Sequence, residues 1–200
     1  MSATQMLSVL TDFDLHTGLS KTKKPMQRFL SQMSGMYAHD EAFEEILSQE
    51  DPLVYEFFDM GVPESEKEVA YGTSITYPGK VGDEYYMTKG HFHTVIDTAE
   101  VYYCLRGNGY MLMENPEGEW EARELTPGQA VYVPARFAHR SINVSSNEPL
   151  VTFFAFPGAP TGQFNHPVLE AARPHGDPPG QADQVHCGEL AACPLVAVII

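Results

Sequence analysis

The sequence predicts an all-β barrel, preceded by a short helical segment and followed by an irregular tail. Three observations carry that prediction. From Leu53 onward the hydrophobic rhythm is one of short β-rich runs broken by Gly, Pro and Asn, the pattern of a sandwich or barrel. Ahead of Leu53, apolar residues recur at helical spacing instead. Beyond Pro157, glycine and proline are too dense for regular structure.

Taken in order, Pro25 to Ser34 places Met26, Phe29, Leu30 and Met33 at helical spacing, with Pro25 acceptable in a first turn. Asp40 is placed to cap a second helix whose apolar face is Phe43, Ile46 and Leu47. Both are expected to cover the barrel or to form a dimer surface. The strands then follow as Leu53 to Met60, Val69 to Tyr77, Glu84 to Thr88, Ala99 to Leu105, Tyr110 to Glu114, Trp120 to Leu125, Gln129 to Val133, Ala138 to Val144 and Leu150 to Phe156. Gly107 and Gly109 punctuate a hairpin, and Pro127-Gly128 and Pro134 bracket the run through Val133. Tyr132, Phe137, Phe153, Phe154 and Phe156 read as core or pocket wall. The expected organisation is one domain over 1–157, with a helical cover at about 20–50 and the barrel at about 51–157, and an irregular tail over 158–200. The run from Cys193 to Ile200 either pairs as a strand or seeks a partner surface.

Composition narrows the function. The formal net charge is -15 with only 12 Lys and Arg, so neither nucleic acid nor an anionic membrane is an expected partner. Any phosphate has to be held by local donors rather than by the overall field. Cys104, Cys187 and Cys193 form an odd set without a C-x-x-C spacing, which suggests neither a disulfide framework nor a zinc ribbon and fits a cytoplasmic protein. Asp12, Asp14 and Lys21 interrupt any N-terminal signal-like run, and the apolar stretch from Leu190 to Ile200 is shorter than the roughly 20 residues a membrane span needs.

Four side chains stand out. His91 and His93 lie two apart in Gly90-His91-Phe92-His93, so on a strand both imidazoles share a face while Phe92 takes the other. Seven residues on, the same parity puts Glu100, Tyr102 and Cys104 inward and Val101, Tyr103 and Leu105 outward. His139 follows in Pro134-Ala135-Arg136-Phe137-Ala138-His139. Three imidazoles and a carboxylate make a ligand set, open on one side, for a single divalent first-row transition metal. Iron is the expected ion, and manganese, nickel or zinc also suit these donors. Tyr102 reads either as a pocket contact or as a core tyrosine, and Asn143 as closing a turn or strand hydrogen bond.

These residues also carry a resemblance. Gly90-His91-Phe92-His93, Glu100 and Gly107, then Gly128, Pro134, His139 and Asn143, resemble the paired motifs of the cupin superfamily, which implies a small β-barrel or jelly roll with a metal at its mouth. The fuller string Tyr77-Pro78-Gly79-Lys80, Thr88-Lys89-Gly90-His91-Phe92-His93 and Ala99-Glu100-Val101-Tyr102 resembles the cupin-type glucose-6-phosphate isomerases, as does Glu50-Asp51-Pro52-Leu53-Val54-Tyr55-Glu56. That resemblance implies a homodimeric enzyme of glycolysis and gluconeogenesis acting on a sugar phosphate. It further implies phosphate contacts from Thr73, Ser74, Thr88 and Gly90, and sugar contacts from Tyr55 and Tyr102. Two departures from the family pattern are Arg136, where an aromatic hydroxyl is common, and Thr161-Gly162-Gln163-Phe164 with Phe156, where a histidine and tyrosines are usual. Arg136 is expected to add a phosphate or hydroxyl contact or to mark a changed substrate, and His166 to replace the missing histidine if the tail folds back.

The implied chemistry moves one hydrogen between C1 and C2 of a hexose phosphate. Glu100 and His139 are the expected catalytic residues, with Glu100 either a ligand, a general base acting through a cis-enediol, or both; a hydride shift would need no base. Two other classes stay open: a metal cupin dioxygenase, and a non-catalytic sugar-phosphate-binding cupin.

Overall fold

Among the described residues, 10–61, 68–93 and 95–158 of a computed structural model, alternating burial sorts nine of eleven strands into two facing sheets. The larger sheet has the order β1-β2-β3-β11-β6-β9 and is built from β1 (Met26–Phe29), β2 (Leu53–Asp59), β3 (Val69–Thr76), β6 (Glu100–Arg106), β9 (Ala130–Val133) and β11 (Leu150–Pro157). The smaller has the order β10-β7-β8, from β7 (Gly109–Glu114), β8 (Trp120–Leu125) and β10 (Ala138–Asn143). A two-residue hairpin, β4 (Lys80–Val81) with β5 (Glu84–Tyr85), leads into a looser stretch beside β10. There the pairing rests on the bridges Met87↔Ile142 and His91↔His139. All named strand pairings are antiparallel, so this is the all-β jelly-roll architecture the sequence predicts.

The core is layered by residue parity. Between the sheets lie Tyr102, Cys104, Met111, Met113, Leu125, Val133 and Leu150. A second cluster joins Leu30, Met33, Tyr37, Phe43, Val54 and Tyr55 to Met87, Leu112 and Ile142. A third, on the far side of β3 and β11, packs Phe58, Ile75 and Val151 under Phe13 of the N-terminal segment. The β6–β7 hairpin turns at Gly107, whose φ of +84° and close approach to Pro149 O leave no room for a Cβ.

Two N-terminal expectations need correction. Pro25 to Ser34 is not a helix: β1 pairs with β2, and a 3-10 turn over Leu30–Met33 follows. The 3-to-4 spacing of Phe29, Leu30 and Met33 is satisfied by that turn, which buries Leu30 and Met33. Asp51 fixes it, accepting from the Ser31 N–H at 2.8 Å and the Ser31 hydroxyl at 2.7 Å. The second helix, α1 (Asp40–Gln49), buries Phe43 as expected, but His39 occupies the cap position. Asp40 and Glu41 instead place negative charge in the first turn, where the helix dipole favours it.

Strand β10 runs as expected. Asn143 closes its end, donating through Nδ2 to Thr76 O at 2.8 Å and Glu148 O at 2.9 Å and accepting from the Ser145 N–H at 2.9 Å. Tyr132 is no core residue: it points outward from β9 and is 63% exposed. None of the described helices is long and apolar enough to cross a membrane. The expected tail and its terminal strand, together with His166, lie outside the described residues.

Candidate metal centre

Strand β6 delivers the carboxylate. Its burial alternates so that Glu100, Tyr102 and Cys104 are buried while Val101 and Tyr103 face outward. His139 comes from the other sheet, the second residue of β10, and is 3% exposed. His91 and His93 come from the irregular stretch beside β10, not from a regular strand as the sequence suggests. Their convergence is set instead by a two-way bridge, His91 N–H to His139 O at 3.3 Å and His139 N–H to His91 O at 3.1 Å.

The four side chains each offer a ligand atom, and these atoms all lie within 4.8 Å of one another. The His91 and His139 rings are 4.5 Å apart centre to centre, and His93 lies 5.7 Å from His91 and 5.5 Å from His139. One carboxylate oxygen is the focus: Glu100 Oε2 is 2.9 Å from His139 Nε2 and 3.1 Å from His93 Nε2. His139 Nδ1 faces Phe137 O at 3.5 Å, which leaves Nε2 turned into the site.

Burial pushes the Glu100 carboxyl up, but the charge and hydrogen bonds of His139 and His93 outweigh it and hold the group down at about 2. In that balance the imidazoles stand where a cation would. The donor set therefore fits a divalent transition metal: three borderline nitrogen donors and one hard oxygen, with His91 and His93 less deeply buried than Glu100 and His139.

Tyr102 lies against this cluster, its hydroxyl 3.3 Å from His139 Nε2. Burial first and the Glu100 charge second raise its phenol well above the usual range, so it stays a neutral donor. Phe154 and Phe156 line the same side, the Phe156 ring 5.1 Å from that of His93. Cys104 is a filler beneath, its thiol pushed up to about 11 by burial.

The family model described as Glucose-6-phosphate isomerase (GPI) matches residues 27–171. The chain belongs to that family. Curated glucose-6-phosphate isomerases agree across most of their length: the protein from Thermococcus kodakarensis is 44% identical over 146 residues, 73% of this chain and 76% of its own. That from Pyrococcus furiosus is 41% identical over 144 residues, 72% and 76%. A bacterial one from Sinorhizobium medicae is 38% identical over 152 residues, 75% and 70%. Among solved structures, an oxalate decarboxylase from Bacillus subtilis is 21% identical with a TM-score of 0.42, covering 54% of this chain and 26% of its own.

For a glucose-6-phosphate isomerase family member, the remaining expected contacts divide. Tyr55 is buried, and its phenol faces the main-chain N–H of Lys89. Ser74 lies opposite Phe57 and Thr152, on the inward face of β3. Thr88 Oγ1 accepts from the Ser141 N–H at 3.0 Å, and Gly90 is packed so closely that a Cβ would lie 2.8 Å from Arg140 Nη2. Two of the expected contact residues turn away from the centre. Thr73 turns its hydroxyl to Gly18 O at 2.7 Å on the outer face, because residue 74 takes the inward position in a two-residue period. Arg136 sits on the turn before β10 with a φ of +71° and reaches outward, 3.5 Å from Glu117 and half exposed.

Ser141 is a residue the sequence reading missed. It stands two after His139 on the inward face, and its hydroxyl lies 3.2 Å from Thr76 Oγ1 and 3.4 Å from Thr88 Oγ1, a string of three hydroxyls below the centre. The parity already used for Glu100 and Tyr102 would have found it. Arg140, buried against Gly90 and donating to Met87 Sδ at 3.2 Å, was also missed.

Proposed function

We propose that this chain is a metal-dependent aldose–ketose isomerase interconverting glucose 6-phosphate and fructose 6-phosphate. The observation that carries the reading is the convergence of His91, His93, His139 and Glu100 on one point in a chain of this family. These four residues would hold one divalent ion, iron first, with manganese, nickel or zinc accepted by the same donors. When bound, the ion polarises the substrate carbonyl and steadies charge on the two neighbouring oxygens.

The protein's own groups do the rest. Glu100 takes the proton from C2 of the aldose and returns it to C1 of the cis-enediol, while the hydroxyl proton passes from O2 to O1, so no external acid or base is consumed. Its carboxylate is ionised at neutral pH, as a base must be. The neutral Tyr102 hydroxyl and His139 beside it orient the sugar oxygens. Phe154 and Phe156 exclude water from that side. The phosphate end lies toward Tyr55, Ser74, Thr88 and Gly90. Two chains pair through outward apolar side chains such as Val101, Tyr103 and Tyr132.

The test is purified protein loaded with each ion, assayed for conversion of fructose 6-phosphate to glucose 6-phosphate. Metal-dependent conversion supports the reading; bound metal with oxygen-dependent turnover and no isomerisation would replace it with dioxygenase chemistry. Glu100→Gln should lower kcat by about 10²–10⁴-fold, the range of a lost general base, while fructose 6-phosphate still binds by calorimetry.

A further inference from the structure

We propose that Phe156 is the positioning residue for the ligand His93, its ring holding the imidazole where a metal-bound histidine ordinarily has a second hydrogen bond. This rests on the metal centre of the isomerase reading and adds to it the residue that fixes the least anchored of the four donors.

The donors are held unequally. Glu100 and His139 lie on β6 and β10, and His91 is tied to His139 by two main-chain hydrogen bonds. His93 lies in no strand, and among the described residues it takes part in no main-chain hydrogen bond. Its side chain is nonetheless only 10% exposed, so contacts of the ring itself must place it.

One such contact is lost on ligation. His93 Nε2 meets Glu100 Oε2 at 3.1 Å, and it can donate there only while it carries a proton, which a ligating nitrogen does not. A metal-bound histidine is then ordinarily oriented through its other ring nitrogen. His139 has that partner in Phe137 O, 3.5 Å from its Nδ1. Among the described residues His93 Nδ1 has no hydrogen-bond partner.

Phe156 supplies the missing restraint. Its ring lies 5.1 Å from the imidazole, centre to centre, and is tilted by 59°, within the range where two rings attract beyond the area they bury. The rings of His91 and His139 are farther from His93, at 5.7 and 5.5 Å, and both are ligands themselves. Phe156 is also well fixed: it pairs with Ala70 across β11 and β3, and its ring stacks on Phe154 at 6.2 Å and 19°. Phe154 in turn stands opposite Tyr102, whose hydroxyl meets His139. One aromatic row therefore runs from His139 to His93, and its far end braces the donor that lacks backbone support. A phenyl has no hydrogen-bonding atom, so it limits rotation of the imidazole without competing for the ion.

The experiment loads wild type, Phe156→Leu and Phe156→Tyr with cobalt(II), measures affinity by competition with a chelator, and records the visible spectrum of the bound ion, which reports its ligand geometry. Phe156→Leu should bind cobalt(II) about 10–100-fold more weakly, the usual loss when a group that orients a ligand is removed, with a spectrum moved toward that of His93→Ala. Phe156→Tyr keeps the ring and should match wild type in both. Phe58→Leu removes a buried ring from the cluster on the far side of β3 and β11, and should lower the thermal midpoint while leaving both readouts in place. If Phe156→Leu does not fold, Phe156→Met, bulky but without a ring, carries the measurement. Wild-type affinity and spectrum in Phe156→Leu would overturn the proposal. So would an equal loss in Phe58→Leu, which would mark a general effect of core damage. A wild type that binds cobalt(II) but isomerises nothing removes the isomerase reading alone, and the affinities still decide the role of Phe156; a wild type that binds no divalent ion overturns both.

Discussion

The hydroxyl of Thr73 donates to Gly18 O on the outer face, while Ser74 turns into the barrel opposite Thr152. Thr73→Val would leave the Gly18 carbonyl without its donor and should cost about 1–2 kcal/mol in chemical denaturation, with KM for fructose 6-phosphate unmoved. Thr152 presents the opposite case: its hydroxyl is buried and has no hydrogen-bond partner among the described residues. Thr152→Val keeps the shape and removes a desolvated polar group, so the denaturation midpoint should rise, by about 1 kcal/mol. A fall would mean that the hydroxyl is held by a solvent molecule. At this scale the sequence was readable wherever one strand decides the outcome. Glu100, Tyr102 and Cys104 face inward by parity alone. Ser141 faces inward by the same parity as His139, but its neighbours Thr76 and Thr88, like the pairing of Arg28 with Tyr55, join distant stretches and could not be read from local pattern.

Elements show the same division. The longer strands β2, β3 and β6 to β11 follow from alternation and turn residues, but β4 is not foreseen and the run from Glu84 to Thr88 shortens to β5, whereas β1 reads as helix because a strand and a 3-10 turn together reproduce helical apolar spacing. Local periodicity is blind to the open edge of β2, which gains its hydrogen bonds only when β1 arrives. Likewise the stretch through His91 and His93 takes its geometry from a bridge to β10 rather than from strand form. Close approach between elements sets limits of its own. At Gly72, where β3 passes between β2 and β11, an added Cβ would lie 2.0 Å from Phe58 O and 2.7 Å from Phe154 Cζ. The first contact is main chain and cannot swing away. Gly72→Ala should therefore destabilise by about 1–3 kcal/mol through overpacking, and a thermal midpoint equal to wild type would show that β2 can shift to admit it.

Across the whole molecule, the ligand set spans the sandwich: Glu100 belongs to the larger sheet and His139 to the smaller. An ion held by both stabilises the folded chain by mass action, about 2.7 kcal/mol at a hundredfold excess over Kd. Removing it with a chelator should lower the thermal midpoint by roughly 5–10 °C for a chain of this size, and re-addition should reverse the change; no shift would mean that the ion does not tie the sheets. The four donors are not alike in their setting. Glu100 and His139 are fixed on strands and buried, whereas His91 and His93 ride on an irregular stretch and are less deeply buried. Half of the seat is thus built into the barrel wall, and the other half hangs on a stretch held to it by the two main-chain hydrogen bonds between His91 and His139.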